Sequence, residues 1–216
     1  EPHAQLHSAL ASRHCLLVLD SMEELADGAL CLSDLLQAAP GLVILATTRM
    51  RLNLQEEWLV TVEGLPVPPE GAWALPELLQ YPAVELFLRA ARRMGSTALP
   101  SPEEGEALAG ICRLVDGTPL SLELAASASR VRSLPEIAAE LARSMDILSN
   151  ELLNVPQRHR SLRATFEHTF NLLTDSEQRA FARLGIFNGL FDLPAARAVC
   201  GSDPFGLVES FLVKRD

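Results

Sequence analysis

The chain has 216 residues, 48% hydrophobic and 21% charged, which is enough for one large domain or two to three small ones. A formal net charge of −10 excludes a generally basic, nucleic-acid-coating surface and disfavours anionic membrane. Aromatic residues make up only 5%, so a helix-rich fold is favoured over a β-sandwich. No apolar run could span a bilayer and no signal peptide is visible, so a cytoplasmic protein is expected. Cys15, Cys31, Cys112 and Cys200 are far apart, without a C-x-x-C pair or a nearby histidine; reduced thiols rather than a zinc site are expected. Beginning at Glu1 without a methionine, the chain reads as an excised piece of something larger.

Residues 4–13 read as the tail of a helix feeding the first strand. Cys15-Leu16-Leu17-Val18-Leu19-Asp20 is a continuous apolar run ending in an acid, the pattern of a parallel strand buried on both faces. Met22, Leu25, Ala29, Leu32, Leu35 and Leu36 follow at helical spacing, and Pro40-Gly41 stops that helix. A second strand, Leu42-Val43-Ile44-Leu45-Ala46, completes a right-handed βαβ unit and ends in Thr47-Thr48-Arg49. The alternation of Trp58, Val60 and Val62 predicts a third strand. Leu65-Pro66-Val67-Pro68-Pro69 then breaks regular structure and marks a first domain boundary.

From Tyr81 the pattern is helical only. Pro82 opens a helix carrying Val84, Phe87, Leu88 and Ala91 on one face. Ser101-Pro102-Glu103-Glu104 is a capping box that starts a helix to Val115; Thr118-Pro119 starts the next, to about residue 131. Ser133 to Glu136 is another capping box, opening a helix to about residue 143. These four helices make a small bundle. Residues 150–157 form the second boundary. Beyond it, Leu162, Phe166, Phe170 and Leu173 keep helical spacing, Thr174-Asp175-Ser176-Glu177 is a third capping box, and Asp192-Leu193-Pro194 and Asp203-Pro204 open two more helices. Short helices with tight turns are the pattern of a helix-turn-helix or winged-helix core, with the wing starting around residue 213.

Two adjacent parallel strands bring their C-terminal residues to one edge, where open α/β sheets place ligands. Asp20 and Arg49 both fall there. An acid and a guanidinium side by side suit a magnesium-bound phosphate, the acid holding the metal and the arginine meeting phosphate oxygens. Each alone has a plainer reading, Asp20 as a helix cap and Arg49 as a surface residue.

These segments also bear a family resemblance. Leu16-Leu17-Val18-Leu19-Asp20 resembles the Walker B strand of the signal-transduction ATPases with numerous domains (the STAND class, which includes the NB-ARC ATPases). Leu45-Ala46-Thr47-Thr48-Arg49 resembles their sensor 1 strand. The run from Gly117 to Ala126, with Pro119-Leu120, is similar to the family's Gly-x-Pro-Leu motif. Arg158 to Thr165, with Leu172 to Gln178, is similar to the opening of its winged-helix domain. The nearest members are the bacterial LuxR-type and antibiotic-regulatory activators.

The resemblance implies an α/β plus all-α architecture. Residues 1–68 would be the C-terminal part of a P-loop NTPase parallel sheet, 69–150 a helical bundle, and 151–216 a winged-helix domain truncated before its wing. It implies that Asp20 coordinates Mg2+, that Thr48 and Arg49 meet the nucleotide with Arg49 sensing the γ-phosphate, and that Pro119 packs against it. Pro119 is equally an ordinary first-turn proline after a Thr118 cap. ADP would hold the blocks closed, and ATP would let them rearrange and self-associate. DNA binding by this stretch is not expected, since in the family that task usually falls to a separate domain. Arg158, Arg160 and Arg163 form a local basic cluster of the kind more often solvated or paired with acids.

The chain departs from the family in two respects. It contains no Gly-x-x-x-x-Gly-Lys-Ser/Thr, so the phosphate loop is expected upstream of Glu1, and this piece alone should bind nucleotide poorly. Ser21 stands where many members carry a second acid, so no catalytic residue is assigned and at most a slow ATPase is implied for the full-length protein. Glu23 and Glu24, at a helix start, are read as complementing its dipole. His159 and His168 do not fit the family's nucleotide-contacting histidine. Two other readings stay open: a DNA-binding winged-helix regulator with the α/β part as scaffold, and an ATP-hydrolysing enzyme.

Overall fold

The computed structural model describes residues 2–71, 74–96, 100–149, 162–187, 190–201, 204–209 and 213. The chain divides into two compact units, residues 1–60 with 169–216, and residues 61–168.

In the first unit, α1 (Pro2–Leu10) leads into β1 (Cys15–Leu19). A 3-10 segment, Met22–Gly28, and α2 (Ala29–Ala38) form the crossover to β2 (Leu42–Ala46). The two strands pair in parallel, with Cys15 opposite Leu42 and Leu19 opposite Ala46. The crossover is not one helix. Leu25 leaves helical geometry (φ −121°, ψ 34°), and regular α-helix begins only at Ala29.

The strands are not buried on both faces as their sequence predicts. One face packs on α2, where Leu35, Ala39 and Leu42 form a small core with Leu10, Leu17, Leu36 and Ile44. On the other face Leu16, Val18, Val43 and Leu45 remain 56–62% exposed. A continuous apolar run reports what a strand could bury, and among the described residues only one side has a cover. The third strand expected at Trp58–Val62 is also absent. That segment has no ladder partner among the described residues, and Trp58 and Val60 are 93% and 86% exposed. Alternation reflects β-propensity, but a strand forms only where a neighbour takes its N–H and C=O groups.

The last stretch of the first unit takes in the end of α8 (Leu162–Asn171), then α9 (Asp175–Leu184), α10 (Leu193–Cys200) and α11 (Phe205–Glu209). The Thr174 hydroxyl and Glu177 carboxylate cap α9 reciprocally, and Asp192 Oδ1 receives the Ala195 N–H at 2.8 Å to cap α10. Leu173, Ala180, Leu184, Ala196, Cys200 and Leu207 share a core. The Arg183 guanidinium ties α9 to the end of α10 through the Cys200 carbonyl, 2.8 Å away. The expected basic cluster is not a free patch at its described member: Arg163, in the second unit, pairs with Asp146 at 3.2 Å and Glu167 at 3.4 Å. Arg158, Arg160, His159 and the boundary expected over 150–157 fall outside the described residues.

The second unit is the helical bundle. A short helix unread in the sequence, α3 (Leu75–Leu78), precedes α4 (Pro82–Arg93), α5 (Pro102–Leu114), α6 (Pro119–Ala128) and α7 (Leu134–Leu141). Phe87, Leu108, Ile111, Leu122, Leu124 and Ile137 are fully buried at its centre. Burial pushes the Cys112 thiol up to about 12, partly offset by the neighbouring Arg113 charge, so it packs as a small apolar group. Gly117 takes a left-handed φ of +61° in the turn before α6, and a side chain there would strike the Leu65 backbone. That approach lets the Leu65 N–H donate to the Gly117 carbonyl at 2.9 Å.

Candidate functional site

The parallel register brings the ends of β1 and β2 together, and Asp20 and Thr47 lie side by side one residue beyond it. The Thr47 hydroxyl donates to Asp20 Oδ1 and accepts the Ser21 N–H at 3.0 Å. Ser21 adopts a left-handed φ of +59°, which turns the chain sharply out of the strand. The Met22 N–H then donates to the Thr47 carbonyl at 2.9 Å. One threonine thus holds the whole exit of β1, leaving Asp20 exposed at the end of the sheet. Among the described residues its carboxylate accepts only the Thr47 hydroxyl.

Arg49 lies two residues beyond Thr47, 29% exposed through its side chain. Its Nε is 3.5 Å from Glu23 Oε1, and its Nη1 donates to Thr169 Oγ1 on α8 at 2.5 Å. Glu23 is 4% exposed in its side chain, and among the described residues its second oxygen, Oε2, is buried without a hydrogen-bond partner. Glu23, expected to complement a helix dipole, is instead buried against Arg49 in the 3-10 segment. The Thr48 hydroxyl closes a local turn, donating to the Met50 carbonyl at 2.8 Å. Pro119 lies in the second unit, exposed at the first position of α6.

Asp20, Thr47, Glu23 and Arg49 make a rim with one exposed acid and one half-exposed guanidinium. Sequence reasoning singled out Asp20, Thr48, Arg49 and Pro119, considered Glu23 only as a helix-start acid, and gave no role to Thr47 or Thr169. Thr47 was accessible in principle, as the first polar residue after β2 opposite the first after β1. Thr169, 120 residues from Arg49, left no local signal. Among the described residues no cluster of three or more His, Cys, Asp or Glu could cage a metal ion. A magnesium ion held by one carboxylate would need oxygens from a phosphate and water, which is its usual habit. The exposed Asp20 carboxylate fits that role only together with a phosphate ligand.

The chain is 35% identical over 216 residues to a Mycobacterium tuberculosis protein named "Putative HTH-type transcriptional regulator". The alignment covers 98% of this chain but 23% of that protein, and a Mycobacterium bovis protein of the same description matches equally. A second M. tuberculosis protein, named only "Uncharacterized protein", is 34% identical over 190 residues, 87% of this chain and 45% of its own length. The chain thus spans less than half the length of the curated relatives it matches. No family model and no solved structure matches it. Among the described residues no helix is long and apolar enough to cross a membrane.

Proposed function

We propose that this chain is the nucleotide-responsive switch region of a bacterial transcription regulator of the STAND, NB-ARC-like class. Residues 1–68 would be part of a P-loop NTPase sheet, 69–150 the helical bundle, and 151–216 the beginning of a winged helix. The observation that supports the reading is the parallel pair β1–β2, whose C-terminal ends lead directly into Asp20 and, three residues past β2, into Arg49, with Thr47 bonded to the acid. Similarity along 98% of this chain to a protein named "Putative HTH-type transcriptional regulator", of which it spans 23%, supports the regulatory half of it.

In this reading Asp20 holds Mg2+, directly or through water, and Arg49 meets the terminal phosphate. Thr48 flanks the nucleotide, and Pro119 holds the bundle to it. The magnesium ion would neutralise phosphate charge; the chain's own residues orient and sense. The phosphates would be cradled by a glycine-rich loop that these 216 residues do not contain. This stretch alone is therefore expected to bind ATP weakly. ADP would keep the blocks together and ATP would release them for self-association, with slow turnover at most.

Asp20→Ala in the full-length protein tests the site. It should abolish Mg2+-dependent binding of a fluorescent ATP analogue and leave the circular dichroism spectrum unchanged. Unchanged affinity would overturn the metal role. The relatives' helix-turn-helix name favours a second reading, DNA binding by α8 to α11. The acid pairing of Arg163 and the net charge of −10 oppose it. A gel shift with this chain should show no sequence-specific complex at physiological salt; a specific shift would decide for DNA.

A further inference from the structure

We propose that Glu23 and Thr169 are positioning residues, which together fix the plane of the Arg49 guanidinium at the rim. The inference rests on the nucleotide reading above and adds residues to it that no sequence motif marks.

Glu23 is almost wholly buried, yet among the described residues one of its oxygens has no hydrogen-bond partner. A buried carboxylate is costly to desolvate and is retained where a counter-charge needs it. The one ion pair it makes among the described residues is with Arg49, at 3.5 Å. Its position follows from the strand register. The Met22 N–H bond to the Thr47 carbonyl anchors the 3-10 turn, and the next residue turns in beneath β2's exit. Thr47 therefore serves both sides: its hydroxyl holds Asp20, and its carbonyl holds the residue before Glu23.

Thr169 supplies the second fixed point, from α8. A guanidinium is planar and presents its N–H donors in a rigid fork, so an ion pair at Nε and a hydrogen bond at Nη1 together constrain its orientation. Arginine recognises phosphate through that fork, and a misaligned plane forfeits bidentate contact. Glu23 adds a second effect. Its charge offsets that of Arg49, so an anion at the rim must compete with a carboxylate for the guanidinium. A weakly charged or poorly placed phosphate gains little there, whereas a terminal phosphate delivered in line gains more. The pair thus works as a discriminator between triphosphate and diphosphate.

The test uses the full-length protein with Glu23→Gln, Thr169→Val, Thr169→Ser and, for signal assignment, Arg49→Lys. Two readouts are taken on each. The first is NMR of isotope-labelled arginine side chains, following the Arg49 Nε–H signal identified by its loss in Arg49→Lys. It should be slow to exchange in the parent, and broadened or lost in Glu23→Gln. Thr169→Val should shift it, and Thr169→Ser should restore it. The second is the affinity ratio between fluorescent ATP and ADP analogues, which should fall on the order of tenfold in Glu23→Gln and Thr169→Val while ADP binding is kept or strengthened. A merely structural role would weaken both nucleotides together. An Arg49 Nε–H signal indifferent to Glu23→Gln, or an unchanged ratio in a protein that binds both nucleotides, would overturn the proposal. Should Glu23→Gln fail to fold, Thr169→Val carries both readouts. A parent protein that binds neither nucleotide would overturn the functional reading, and the NMR arm would still decide the positioning role.

Discussion

Replacing Thr47 with valine removes one hydroxyl and keeps the strand's shape, so it isolates what that oxygen holds. In the structure it is the acceptor for the Ser21 N–H at 3.0 Å and the donor to Asp20. Ser21 sits at φ +59°, a conformation that costs a non-glycine residue roughly 1–2 kcal/mol. The hydrogen bond, worth about 0.5–1.5 kcal/mol net, helps offset that cost. Losing it should lower the local opening free energy at Ser21 by roughly 0.5–1.5 kcal/mol, or accelerate its amide exchange about two- to tenfold. The Met22 amide bonds the Thr47 carbonyl rather than the hydroxyl, and should keep most of its protection. Thr47→Ser should behave like the parent. The assay is residue-resolved hydrogen exchange. A change at Ser21 of less than about twofold would refute the reasoning, because the hydroxyl would then not be holding the turn. Equal acceleration of Ser21 and Met22 would also refute it, since the strand pair as a whole would have loosened.

Gly117→Ala should lower the melting temperature of the second unit by on the order of 10 °C, combining left-handed strain with a collision against the Leu65 backbone. Gly95→Ala, at φ +97° with open space around it, should cost only the strain, and equal losses in both would contradict the close-approach argument. The Ser133 backbone N–H and hydroxyl both donate to Glu136 at 2.8 Å and hold its carboxyl below the ordinary value of 4.5. Because the folded state binds that proton less readily, its contribution is complete above 4.5 and fades as pH falls through the lowered value. Protection of the first α7 amides should therefore decline in acid, and Glu136→Gln should remove that dependence.

The parts of the fold written in short stretches of sequence were legible. Ser101 with Glu104, Thr118-Pro119, Ser133 with Glu136, Thr174 with Glu177 and Asp192-Leu193-Pro194 all mark helix starts that the structure contains. A cap is a contact over three residues, so its signal is local. The two apolar runs became a parallel pair for a similar reason: length and bounding residues define them. Properties that depend on distant partners were not legible. The exposed face of Leu16, Val18, Val43 and Leu45 and the unpaired Trp58–Val62 segment depend on what lies opposite, which a strand's own residues do not encode. At the rim, Asp20 and Arg49 could be placed by counting from strand ends. The burial of Glu23 against Arg49 depends on how the turn after β1 is held to β2, through the Met22 N–H bond to the Thr47 carbonyl, and no periodicity foretold it. Thr169 reaches Arg49 only through tertiary packing.

The most direct measurement is paramagnetic NMR on the full-length protein, with Mn2+ in place of Mg2+ and ATP added. Selective broadening of the Asp20, Ser21 and Thr48 amides, dependent on ATP and lost in Asp20→Ala, is the expected result. Broadening that is spread over surface acids regardless of nucleotide, or that spares the ends of β1 and β2, would contradict a phosphate-binding rim.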